Sequence, residues 1–105
     1  MAQIKWTEPA LEDLYGIAEY IALDKPNAAK KLVANVFDSV KRLKKFPLSG
    51  KVPEELKDSR YREIIVGPCR IFYRTEDDLV YILFVMRGER ALRNFILQDR
   101  ADENS

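Results

Sequence analysis

Histidine is absent from this 105-residue chain, and cysteine occurs once, at Cys69. The first absence removes the side chain most used for proton transfer near neutral pH. The second excludes an internal disulfide framework and fits a reducing compartment. No apolar run approaches the ~20 residues that span a bilayer, and the N-terminus has no signal-peptide core. The expected location is therefore the cytoplasm, with no membrane partner. Glu54 and Glu55 are adjacent in a loop, a spacing that suits no metal site, so neither metal nor cofactor is expected. The four glycines and five prolines are scattered, and no repeat, low-complexity tract or linker appears. A protein with so few nucleophiles and bases fits most small-molecule chemistry poorly and suits the engagement of a macromolecule.

What is present is an uneven charge. The net charge is only +1, which argues against a dedicated DNA binder. Residues 1–24 carry one lysine against five acids, residues 25–51 carry eight lysines or arginines against one aspartate, and residues 52–105 carry nine cations against eleven acids. The basic stretch is either a solvated helix face, with Lys41, Arg42, Lys44 and Lys45 favoured by the helix dipole at its end, or an electrostatic docking surface.

The hydrophobic pattern predicts an α+β fold. Gln3-Ile4-Lys5-Trp6 alternates as a half-buried strand. Thr7 then serves as an N-cap with Pro9 in the first turn, and Leu11, Leu14, Ile17, Ala18 and Ile21 form a helical stripe. Gly16 inside that helix costs about 1 kcal/mol against alanine, which predicts close packing against it. Asp24-Lys25-Pro26 starts a second helix with the stripe Ala29, Leu32, Val33, Val36, Phe37, Val40 and Leu43, ending near Phe46-Pro47. The short connection makes an antiparallel helical hairpin. After a polar loop over 48–59, the strands 62–66, 69–74 and 79–86 follow, separated by Gly67-Pro68 and Glu76-Asp77-Asp78, as a three-stranded antiparallel meander. The N-terminal strand joins this sheet, and the helices cover one face. Residues 1–98 are one domain; 99–105 are a polar, flexible tail.

Several of these pieces, in this order, resemble the RelE/ParE superfamily, the toxin halves of type II toxin–antitoxin modules. They are Trp6-Thr7, Asp13-Leu14, Ile17 to Ile21, Asp24 to Ala29, Leu43…Phe46-Pro47-Leu48-Ser49-Gly50, Arg62 to Val66, Arg70 to Arg74 and Val80 to Val85, and they span roughly residues 3–90. The resemblance implies a helical hairpin on a small sheet and a co-expressed antitoxin that silences the toxin. It leaves two activities: inhibition of DNA gyrase by protein contact, as in ParE-type members, or ribosome-dependent mRNA cleavage, as in RelE-type members. DNA would be met only through the antitoxin. The paired lysines that precede the strand arginine in RelE-type sequences are unmatched, since Tyr61-Arg62-Glu63-Ile64-Ile65 stands there. The C-terminal tyrosine is unmatched too, Phe95 being the nearest aromatic. The chain is therefore read as closer to ParE, a gyrase inhibitor without catalytic residues; an antitoxin-binding homologue without toxicity is a further alternative.

Arg70 and Arg74 are an even number of residues apart and point to one sheet face, with Ile71 and Tyr73 on the other. Arg70 could instead pair with Glu63 across the hairpin. Arg70, Tyr73, Arg74, Arg87, Arg90 and Phe95 are the expected antitoxin- or target-binding residues. Were the protein a ribonuclease, Arg62, Arg70, Arg87 and Arg90 would be its catalytic set. Cys69 beside Pro68 reads as a small packed residue.

Overall fold

A computed structural model describes residues 1–56 and 60–88. Strand β1 (Gln3–Trp6) leads into helix α1 (Glu8–Ala22), then helix α2 (Pro26–Lys41), which tightens into a 3-10 turn at Arg42–Lys44. A second 3-10 turn, Glu54–Leu56, sits in the loop before β2 (Tyr61–Val66), β3 (Cys69–Glu76) and β4 (Leu79–Arg87). The sheet order is β1-β4-β3-β2. The meander is antiparallel as expected, and β1 joins it parallel to β4, with Gln3 opposite Leu79 and Trp6 opposite Ile82. A parallel pair needs a crossover, and the helical hairpin with β2 and β3 supplies it. The two tight turns of the meander place Gly67 (φ 55°) and Asp77 (φ 53°) in the left-handed region, which glycine enters freely and aspartate tolerates.

The helices begin where their sequences predict. The Thr7 hydroxyl accepts from Ala10 N at 3.3 Å, and Pro9 and Pro26 lie in first turns that need no donor. The same hydroxyl donates to Ile82 O at 2.8 Å, and Thr7 N reaches that oxygen at 3.1 Å. One residue thus caps α1 and ties it to β4. The cost of Gly16 is not offset by packing: a Cβ built there meets nothing within 4 Å, contrary to the expectation of a close neighbour.

Two apolar clusters flank the sheet. Leu14, Leu32, Val36, Val40 and Leu43 of the helical segment meet Ile71, Tyr73, Val80, Ile82 and Val85, with the Trp6 ring tilted against Phe37 at 5.0 Å between ring centres. On the opposite face, Leu56, Tyr61, Phe72, Tyr81, Leu83 and Met86 form a second cluster that contains no helical residue of α1 or α2. Burial on both faces explains why β4 reads as almost continuously apolar. A bulge contributes as well. Phe72 faces Phe84 while Tyr73 faces Ile82, so Leu83 is an extra residue. The alternation flips there, which brings Ile82 and Val85 to the helix side and Leu83 and Met86 to the other.

The end of β1 leaves the outer edge of β4 open beyond Ile82, and α1 closes it with side chains. Asp13 Oδ2 accepts from Val85 N at 3.1 Å, just past the bulge. Thr7 and Asp13 are therefore the polar groups by which a helix substitutes for a missing strand partner.

Candidate functional site

The far face of the sheet is a grid of side chains in register. Tyr61, Arg74 and Tyr81 form one row across β2, β3 and β4; Glu63, Phe72 and Phe84 form the next; Ile65, Arg70 and Met86 form the third. Arg70 and Arg74 share this face, while Ile71 and Tyr73 lie in the helix-side cluster. Each arginine lies over an aromatic ring: Arg70 Cζ is 4.9 Å from the centre of Phe72 and Arg74 Cζ is 4.6 Å from that of Tyr81.

Arg70 is held by carboxylates on both sides. Its Nε and Nη2 donate to Glu63 at 3.3 and 2.7 Å, and its Nη1 and Nη2 donate to Glu55 at 2.8 Å each. Hydrogen bonds to Glu55 first and Glu63 second keep the guanidinium more firmly protonated than usual. Glu63 is only 2% exposed, and a carboxylate at that depth needs such a partner. Arg70 and Glu63 meet diagonally, since Arg70 faces Ile65 directly and Glu63 faces Phe72. The ion pair also fastens the 3-10 turn bearing Glu55 to the sheet, and Leu56 of that turn is buried in the far-face cluster.

Arg74 is 2% exposed and its Nη1 donates to Glu76 at 2.6 Å. That bond holds the Glu76 carboxyl below its ordinary range. Its Nε is buried without a hydrogen-bond partner, a cost offset in part by the ring face of Tyr81.

The remaining predicted residues lie elsewhere. Tyr73 is fully buried on the helix side, where its hydroxyl accepts from Gly50 N at 2.9 Å. Burial pushes its pKa up, against the opposing effects of that N–H and of Arg62. Arg62 donates from Nη1 to Gly50 O at 2.8 Å. It alternates with Tyr61 and Glu63 and so stands on the helix side, opposite Arg70. Arg87 pairs in register with Cys69 and lies over the Tyr20 ring at 5.8 Å, beside the end of α1. Arg62, Arg70 and Arg87 consequently do not converge on one point. Arg90, Phe95 and the tail over 99–105 lie outside the described residues.

One feature of this region escaped sequence reasoning. Gly50 closes a small hub: a Cβ there would fall 2.5 Å from the Tyr73 hydroxyl and 2.7 Å from Glu63 O. Lys51 next to it exchanges two backbone hydrogen bonds with Glu63, at 3.0 and 2.8 Å. The Ser49-Gly50 turn signal marks a bend but carries no hint of its long-range partner. Beside the hub, a groove of about 430 Å³ runs between the end of α2 and the edge of β2, lined by Arg42, Leu43, Lys51, Ile64 and Ile65 among others. Ile65 is 56% exposed there. It lies on the outer edge of β2, next to the stretch that Lys51 covers.

Comparison with known proteins agrees with this architecture. The family described as "ParE toxin of type II toxin-antitoxin system, parDE" matches residues 4–92. Y4kP of Sinorhizobium fredii is 38% identical over 88 residues, covering 84% of this chain and 90% of that protein. Toxin RelE2 of Caulobacter vibrioides is 32% identical over 91 residues, covering 86% and 99%. Among solved structures, a chain of the chromosomal ParDE toxin–antitoxin system of P. aeruginosa superposes with a TM-score of 0.72 at 25% identity, covering 85% of this chain and 98% of that one. A chain of the RelBE2 toxin–antitoxin complex of Mycobacterium tuberculosis shares the fold, with a TM-score of 0.54 at 23% identity over 82% of this chain and 96% of that one. The sequence match over most of the domain, and the same hairpin-on-sheet fold, place this chain in the ParE toxin family of type II toxin–antitoxin systems.

Proposed function

We propose that this toxin acts by protein–protein contact on DNA gyrase rather than by cutting mRNA, and that a cognate antitoxin neutralises it in the cytoplasm. The observation that carries this reading is the engagement of Arg70. Phosphodiester cleavage by a 2′-hydroxyl needs a cation poised at the phosphate and a base beside it. Arg70 instead spends all three guanidinium nitrogens on Glu55 and Glu63, and two carboxylates at that point repel a phosphate. Arg62 and Arg87, on the helix side, bring no second cation to that point.

The groove between α2 and the β2 edge suits an extended antitoxin segment. Apolar antitoxin side chains would cover Ile65, and acidic ones would meet Arg42 and Lys51 at the rim. Arg70 and Arg74, already paired with acids of this chain, are poorer anchors for it.

The test is a gyrase supercoiling and DNA-cleavage assay run beside programmed ribosomes carrying labelled mRNA. Loss of supercoiling with intact mRNA is the expected result; cut mRNA with normal gyrase would reject the reading. For the antitoxin, Lys51→Glu and Ile65→Asp are each expected to weaken binding at least ~10-fold, equivalent to about 1.4 kcal/mol. Unchanged affinity in both would place the antitoxin on another surface.

A further inference from the structure

The 3-10 turn that ends α2 runs into a knuckle over residues 45–49, where large apolar side chains face solvent. Phe46 is 59% exposed and Leu48 61%. Scattered apolar residues are ordinary on a protein surface, but the backbone that carries these two is fixed. Lys45 N and Phe46 N both donate to Arg42 O, at 3.1 and 3.0 Å, and Ser49 N donates to Phe46 O at 3.1 Å. Ala2 N, just before β1, donates to Lys44 O at 2.9 Å. On either side of the knuckle Leu43 is buried in the core and Gly50 is locked by the Tyr73 hydroxyl. A side chain on such a frame loses less freedom on docking than one on a loose loop.

The charge around the knuckle has one sign. Lys41, Lys44 and Lys45 stand within five residues of one another, and none belongs to an ion pair among the described residues. Asp38 is the one acid between residues 25 and 51. Lys45 Nζ lies over the Phe46 ring at 5.8 Å, so unpaired charge borders the apolar surface directly. None of these three lysines, nor Phe46 or Leu48, lines the groove at the β2 edge. An aromatic ring and a leucine rimmed by unpaired lysines match a protein face with an apolar pocket bordered by carboxylates. Nucleic acid would offer phosphates to the lysines and no pocket for Leu48.

We propose that the knuckle is the surface by which this toxin docks on its target, an acidic protein face with an apolar pocket. The proposal rests on the protein-contact reading given above and supplies its docking face. Phe46 and Leu48 enter the pocket, while Lys41, Lys44 and Lys45 steer the approach and meet the carboxylates at its rim. Target and antitoxin then use separate surfaces of the toxin.

The test measures growth arrest on expression of the full chain, inhibition of gyrase supercoiling by the purified protein, and antitoxin affinity. Two double variants are compared with wild type: Phe46→Ala with Leu48→Ala, and Lys44→Glu with Lys45→Glu. Each is expected to relieve growth arrest and to raise the concentration needed for supercoiling inhibition at least ~10-fold, with antitoxin affinity within ~3-fold of wild type. Should the apolar variant melt early, the lysine variant decides. Growth arrest judges the docking face, and supercoiling judges the identity of the target. Arrest relieved by both variants, with gyrase untouched by wild type, would uphold the face and reject gyrase as its partner. Variants that arrest growth and inhibit gyrase as wild type does would overturn the proposal and leave the gyrase reading intact. It is overturned too if wild type arrests nothing, or if antitoxin affinity falls in step with toxicity, since the knuckle would then belong to the antitoxin.

Discussion

At the scale of single residues, two glycines, one inside a helix and one in a loop, have opposite meanings. Gly50 is trapped between the Tyr73 hydroxyl and the Glu63 carbonyl, and both are fixed, one by burial and one by pairing with Lys51. Gly50→Ala is expected to cost about 1–3 kcal/mol in urea unfolding, the range for overpacking a rigid site. Gly16 has open space around its Cα, and Gly16→Ala is expected to stabilise by about 1 kcal/mol, the helix-propensity difference. A fall in stability there would mean that the helix geometry at Gly16 is strained in a way its surroundings do not reveal. Arg70 makes the sharpest residue-scale prediction. Arg70→Met strands the Glu63 carboxylate beneath the surface and is expected to destabilise by about 3 kcal/mol, whereas adding Glu63→Leu should return a large part of the loss. If the single variant melts like wild type, Arg70 is not the partner that Glu63 depends on.

At the scale of elements, the junction of α1 with β4 has a specific physical content. Strand β1 covers β4 only as far as Ile82, and the helix completes the edge through Thr7 and Asp13. Asp13→Ala removes the acceptor for Val85 N and is expected to cost about 1–2 kcal/mol. Hydrogen exchange at the Val85 amide should accelerate more than at amides of β2, which locates the loss. Uniform acceleration would mean that the whole fold, not this edge, was weakened. The periodicity of α1 shows Leu14, Ile17 and Ala18 as its buried stripe, and this much is legible in sequence. Why a carboxylate sits beside that stripe at Asp13 is not, because its donor is a backbone amide 72 residues away. The bulge is equally hidden: β4 is apolar at Tyr81 through Met86, so no alternation exists from which a register shift could be read.

At the scale of the whole molecule, burial of two weak acids gives the fold an alkaline limit. Cys69 and Tyr73 are both raised above their ordinary values of 9.0 and 10.0, chiefly by burial. The folded state holds these protons more tightly than the unfolded chain, so their contribution is complete below those values and is lost as pH rises through them. Melting temperature is expected to fall more steeply above about pH 10 in wild type than in Tyr73→Phe; parallel curves would show that Tyr73 is not linked to folding. The order strand, helical hairpin, meander was determined by the sequence itself, because helix and strand periods, caps and turn residues are local properties of the chain. The family could be recognised for the same reason, its pieces being short and arriving in a set order. Which arginines are free to meet another molecule was decided only by tertiary structure. Arg62, Arg70, Arg74 and Arg87 look alike in sequence, but the pleat, the loop bearing Glu55 and the end of α1 give each a different partner. Electrostatic availability is a property of distance between side chains, and distances across a sheet or between helices exist only once the chain has folded.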